Sequence, residues 1–131
     1  MVIRCLIVDD SRRFLRSVSA MFESQGAAVA VAMTGDAALL GLADTPDVIL
    51  VDVQLGRENG FDVIRRLREA DARKTAIIAI SSHDPSDLVD MVAASGANGF
   101  IAKSRLSLDA VTALAASDPP PTGHEPGLDP S

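Results

Sequence analysis

The sequence predicts a doubly wound α/β domain built on one five-stranded parallel sheet. Two observations carry that prediction. Short runs rich in Val, Ile and Ala alternate five times with helix-length amphipathic segments, the pattern of strands joined by covering helices. Three of those runs, "VIRCLIV" (2–8), "DVILV" (47–51) and "AIIAIS" (76–81), read as continuously apolar rather than alternating, as central strands with helices on both faces do.

The elements follow in order, with ends placed to within about two to four residues. Strand 1 (2–8) leads into helix 1 (11–25), and "AAVAVA" (27–32) is strand 2. Thr34 caps helix 2 (35–44). Strand 3 (47–51) precedes helix 3 (60–71). Strand 4 (76–81) precedes helix 4 (85–95), which Asp84 and Pro85 open and Gly96 follows. "GFIA" (99–102) is strand 5, and helix 5 (105–116) starts from Ser104 or Ser107. The text then changes to "SDPPPTGHEPGLDPS", which holds five of the seven prolines. Such a composition has no apolar face to bury, so residues 1–117 are expected to fold and 118–131 to be a disordered tail or the start of a linker.

A chain of 131 residues is one domain's worth and buries roughly two thirds of its unfolded surface. Cys5 is the lone cysteine and lies in an apolar run, as a small buried hydrophobe does. No stretch approaches the ~20 apolar residues of a membrane span, and the start is too short and too soon acidic for a signal peptide, so a cytoplasmic protein is expected. The formal charge is -6, with no Trp, no Tyr and four Phe, which argues against a basic, aromatic nucleic-acid surface. Three of the eighteen acids lie in the tail, so residues 1–117 keep fifteen against twelve basic groups. The folded part is only mildly acidic.

In open parallel sheets the chemistry lies beyond the carboxyl ends of the strands, where strand order reverses. Those ends here are Asp9 and Asp10, Asp52, Ser81 and Ser82, and Lys103. With sheet order 2-1-3-4-5, strands 1 and 3 are neighbours and the three aspartates converge. Clustered carboxylates repel unless a cation joins them. A few carboxylates with room for water and phosphate oxygens suit Mg²⁺, and Lys103 adds a further positive charge. A carboxylate can attack phosphorus to give an acyl phosphate, with catalysis supplied by positioning and electrostatics.

The segments "IVDD", "DVILVDVQLGRENGFDVI", "IIAISS" and "GANGFIAK" resemble the signature segments of the response-regulator receiver domain, over about residues 2–116. The resemblance implies a flavodoxin-like (βα)5 fold and a place in two-component signalling. It implies Asp52 as phosphoacceptor, and Asp9, Asp10, Asp52 and the Gln54 backbone carbonyl as Mg²⁺ ligands. Ser81 would be the hydroxyl switch, Phe100 the aromatic switch and Lys103 the phosphate-binding lysine, with Gly60 opening helix 3. It also implies a partner histidine kinase or phosphotransfer protein, and a helix 4, strand 5 and helix 5 surface that changes on phosphorylation. Two departures stand out. Leu55-Gly56 replaces the family's Met-Pro, which frees the backbone of the 52–60 loop. Ser104 replaces the proline that follows the lysine, which puts that proline's cis bond in doubt.

Taken singly, Asp9-Asp10 reads as a helix-capping turn, Asp52 as a loop acid, Ser81 as a turn hydroxyl and Lys103 as a surface lysine; their joint placement favours a site. Arg12, Arg13 and Arg16, and Arg65, Arg66 and Arg68, read as solvated helix faces, the first group also as a dock for an acidic partner. Phe100 serves equally as ordinary core. Gln54 and His83 flank Asp52 and Ser81 and either point into solvent or tune the lifetime of an aspartyl phosphate. The helix 5 segment "SLDAVTALAAS" carries only Asp109 as a charged residue, so a monomer is expected in the unphosphorylated state. No output domain is visible, so the chain acts on a partner or belongs to a longer protein. Two other functions stand behind the receiver reading: a constitutive binding module, and a Mg²⁺-dependent phosphohydrolase, which wants a second Asp where Gln54 stands.

Overall fold

A computed structural model of the chain describes residues 2–71, 73–82 and 88–116. The sheet strands are β1 (Arg4–Val8), β2 (Ala28–Ala32), β3 (Val48–Asp52), β4 (Ala76–Ser81) and β5 (Gly99–Ala102). All pair in parallel, in the order β2-β1-β3-β4-β5. The helices are α1 (Arg12–Ser24), α2 (Gly35–Gly41), α3 (Gly60–Ala70), α4 (Val89–Ser95) and α5 (Leu108–Ala115). The expected doubly wound topology is therefore present, with the reversal of strand order between β1 and β3.

Burial explains the continuous apolar runs. Every residue of β3 and β4 is buried, as is β1 after Arg4, whereas β2 at the sheet edge is largely exposed. Successive side chains alternate between two core layers. Leu6, Val8, Ile49, Val51, Ile77 and Ala79 pack under α2, α3 and α4 through Ala38, Phe61, Ile64, Leu67 and Val92. Cys5, Ile7, Val48, Leu50, Ile78 and Ile80 pack under α1 and α5 through Leu15, Val18, Phe22, Leu108 and Val111. The Cys5 thiol is raised to about 11, first by burial and then by nearby Asp47. No helix among the described residues is long and apolar enough to cross a membrane.

Local chemistry sets the helix starts. The side chains of Ser11, Thr34, Asn59 and Ser107 accept from the backbone N–H groups of Phe14, Ala37, Phe61 and Ala110, satisfying donors that a first turn leaves free. The cap of α1 is therefore Ser11 rather than Asp9 or Asp10. Ser107, not Ser104, caps α5, because Lys103–Arg105 forms a separate 3-10 turn; α2 likewise ends at Gly41 and continues as a 3-10 turn, Leu42–Asp44. Gly96 ends α4 at a φ of 91°. The expected Asp84-Pro85 opening of α4, His83 and the 118–131 tail lie outside the described residues.

Between β3 and α3 the sequence pattern shows no strand, yet Gln54–Leu55 pairs antiparallel with Glu58–Asn59. Gly56 stands first in the turn at a φ of 59°, the position that a type II′ hairpin reserves for glycine. The freedom of Leu55-Gly56 is thus used to build a defined turn.

Candidate functional site

The parallel register brings the polar strand ends into line. Val8 lies opposite Val51, Asp52 opposite Ile80, and Ser81 opposite Ala102, so Asp9, Asp52, Ser81 and Lys103 emerge along one edge. Asp9, Asp52 and Ser81 are buried while Asp10 is exposed. One oxygen from each of Asp9, Asp10 and Asp52 lies within 4.8 Å of the others. Asp9 Oδ1 accepts from the Ser11 N–H and Asp52 Oδ1 from the Gln54 N–H, each at 2.9 Å.

Lys103 closes the cluster. Its Nζ donates to Asp52 Oδ2 at 2.9 Å and lies 2.7 Å from Asp9 Oδ2. The second contact is close in charge but poorly aligned, so buried Asp9 Oδ2 has no directional hydrogen-bond partner. Burial holds the Asp9 carboxyl above its usual range, against the lowering by Lys103 and Ser11, and Asp52 adds to the rise. Burial alone would lower Lys103; the Asp9 and Asp52 carboxylates override it and hold the ammonium above its usual value. One ammonium thus pairs with two of the three clustered acids. The remaining negative charge, the under-coordinated Asp9 oxygen and the all-oxygen donor set fit a hard divalent cation such as Mg²⁺.

Asp10 and Asp52 face an open cleft of about 640 Å³ lined also by Gln54, Gly56, Arg57, Glu58 and Asn59. A second, more apolar cleft of about 360 Å³ runs past Ser81 between Gln54, Phe61, Leu88 and Met91. Exposed Gln54 borders both clefts. Phe100 is half-buried against the α2, α3 and α4 layer. The Lys103–Ser104 peptide is trans. Close approach, not φ, dictates Gly60: a Cβ there would lie 2.0 Å from the Asp52 carbonyl oxygen.

Residues 5–115 match the family model of the response regulator receiver domain. The chain belongs to that family. Receiver domains are signalling domains that bind Mg²⁺ at an acidic pocket and interact with histidine kinases or phosphotransfer proteins. This receiver domain is similar to protein PilH of Pseudomonas aeruginosa, at 35% identity over 83 residues, 62% of this chain and 69% of that one. It is also similar to the transcriptional regulatory protein CpxR of Escherichia coli, at 33% identity over 79 residues, 60% of this chain but only 33% of CpxR. The match therefore spans about a third of the CpxR length. A solved response regulator of Thermotoga maritima superposes with a TM-score of 0.76 at 27% identity, covering 89% of this chain and all of the other.

Two features of the receiver domain were not legible in its sequence. Phe14 lies under Lys103, with Nζ 4.2 Å from the ring centroid; the available signal was an aromatic residue three positions after the Ser11 cap. Arg68, grouped with Arg65 and Arg66 as a solvated face, is half-buried and donates to the Gly96 and Thr75 carbonyls and to Asn98 Oδ1. Its neighbours behave as expected: Arg65 pairs with Asp62 and Arg66 with Asp36 at the surface.

Proposed function

We propose that this receiver domain accepts a phosphoryl group on Asp52 from a phosphohistidine partner, a histidine kinase or phosphotransfer protein. The observation that carries this reading is the Lys103 ammonium set between the Asp9 and Asp52 carboxylates at the strand ends. An Asp52 oxygen attacks phosphorus; the new P–O bond forms as the P–N bond to the imidazole breaks, and the imidazole leaves with the electron pair. Lys103 offsets the charge on the phosphoryl oxygens. Asp9, Asp10, Asp52 and the Gln54 backbone carbonyl would hold Mg²⁺, which would supply further positive charge there.

In the same reading the Ser81 hydroxyl moves to the phosphoryl group and Phe100 turns inward, reshaping the α4, β5 and α5 surface for a downstream partner. Gln54, on the rim of both clefts, and His83 set the lifetime of the aspartyl phosphate. Residues 1–117 form the working unit, in the cytoplasm and as a monomer before phosphorylation, with 118–131 as a linker or tail.

Mass detection after acetyl phosphate and Mg²⁺ tests the reading. One phosphoryl group is expected on the wild type and none on Asp52→Ala. A folded wild type that stays unmodified would favour a constitutive binding module instead. Gln54→Ala and His83→Ala are expected to change the dephosphorylation rate.

A further inference from the structure

We propose that Phe14 is a positioning residue whose ring face completes a three-sided cage, with Asp9 and Asp52, that fixes the Lys103 ammonium for phosphoryl transfer. The inference rests on the function proposed above but adds a residue to it.

An ammonium has three N–H donors and no acceptor. Lys103 Nζ donates to Asp52 Oδ2 and lies 2.7 Å from Asp9 Oδ2 as an ion pair. On a third side lies the Phe14 ring, 4.2 Å from Nζ to its centroid, inside the ~6 Å reach of a cation–π contact. Only 19% of the lysine side chain is exposed, so the ring acts where water screens it little. An aliphatic side chain of similar size would pack against the lysine methylenes but offer the ammonium no negative face.

The contacts also close on themselves. Asp9 Oδ1 accepts from the Ser11 N–H, and Ser11 Oγ accepts from the Phe14 N–H. The Phe14 ring lies beneath Nζ, and Nζ returns to Asp9 Oδ2. The turn that caps α1 therefore sets where the ring lies, and the ring restricts where the ammonium sits. Neither Phe14 nor Lys103 lines the open cleft beside Asp10 and Asp52. The ring thus fixes the ammonium beside the reacting carboxylate and leaves the cleft to an incoming phosphodonor.

The test compares Phe14→Leu and Phe14→Met, which keep apolar bulk, with Phe14→Tyr, which keeps the aromatic face. Phosphoryl uptake from acetyl phosphate with Mg²⁺ is expected to slow about tenfold in Leu and Met and to stay within about twofold of wild type in Tyr, at similar urea midpoints. NMR of the metal-free proteins gives a readout independent of phosphorylation: the Lys103 ε-methylene protons should carry a ring-current shift in wild type and Tyr that Leu and Met lose. Equal rates in Leu and wild type, or a Tyr variant as slow as Leu, would overturn the proposal. So would a wild-type lysine without the ring shift. If the wild type shows the shift yet takes no phosphoryl group, the receiver chemistry fails and the cage geometry stands.

Discussion

The two ends of the same sheet handle buried charge in opposite ways. At the amino end, Arg68 spends three donors on the Gly96 carbonyl, the Thr75 carbonyl and Asn98 Oδ1. Nearby Asp71 accepts from the Arg73 and Thr75 N–H groups and the Thr75 hydroxyl. At the carboxyl end three acids crowd within 4.8 Å of one another, two of them on one lysine, and a buried Asp9 oxygen lacks an aligned donor. A satisfied network stabilises the fold it belongs to. A cluster with surplus like charge opposes that fold until a cation arrives. The first cluster is built for folding, the second for binding.

That contrast can be broken by substitution. The largest effect is expected from added volume at the carboxyl end: Gly60→Ala drives a Cβ onto the Asp52 carbonyl and should cost about 3 kcal/mol, read from urea denaturation. Next, Arg68→Ala removes three hydrogen bonds and should cost about 2–3 kcal/mol, while phosphoryl uptake at Asp52 stays near wild type. A large loss of uptake with an intact fold would show that the Arg68 network also supports the chemistry at Asp52.

A smaller and pH-dependent effect sharpens the amino end. Burial pushes the Asp71 carboxyl up, but the Thr75 and Arg73 N–H groups, the Thr75 hydroxyl and Arg68 outweigh it and hold it below its usual value of 3.8. Its contribution is therefore present above 3.8 and lost as pH falls through the lower folded-state value. Asp71→Asn should cost about 1 kcal/mol at neutral pH, and acid titration of both proteins should show the difference vanishing. The smallest change is expected from Asp10→Asn, which removes one exposed like charge. The melting temperature should rise slightly in chelator, and the stabilisation by added Mg²⁺ should weaken, both measurable by calorimetry.

The contrast also marks what the sequence could reveal. Asp9, Asp52, Ser81 and Lys103 were legible because each follows or ends an apolar run, and a parallel sheet of known order aligns such ends. Arg68 was not: within "RRLR" nothing local separates it from Arg65 and Arg66, and its role depends on carbonyls 28 and 7 residues away. The Gln54–Asn59 hairpin was invisible because two-residue strands carry no periodicity. The sequence offers Ser104 or Ser107 as the cap of α5, and only the separate 3-10 turn at Lys103–Arg105 decides for Ser107. Phe14 carried no sequence signal for this role, because its partner, Lys103, is brought to it only by the fold.

Helix α3 joins the two ends mechanically. Its first N–H, on Gly60, donates to the Val53 carbonyl at 2.9 Å, and its Gly60 backbone rests against the Asp52 carbonyl. Eight residues on, Arg68 grips Gly96 and Asn98. That stretch is a strut about 12 Å long. A tilt of about five degrees at its root swings Arg68 by about 1 Å, enough to disrupt hydrogen bonds of ordinary length. Because no side chain separates Gly60 from the strand it rests on, the joint has almost no slack to absorb such a movement. A backbone shift at Asp52 would reach the loop between α4 and β5 as leverage, without passing through either cleft.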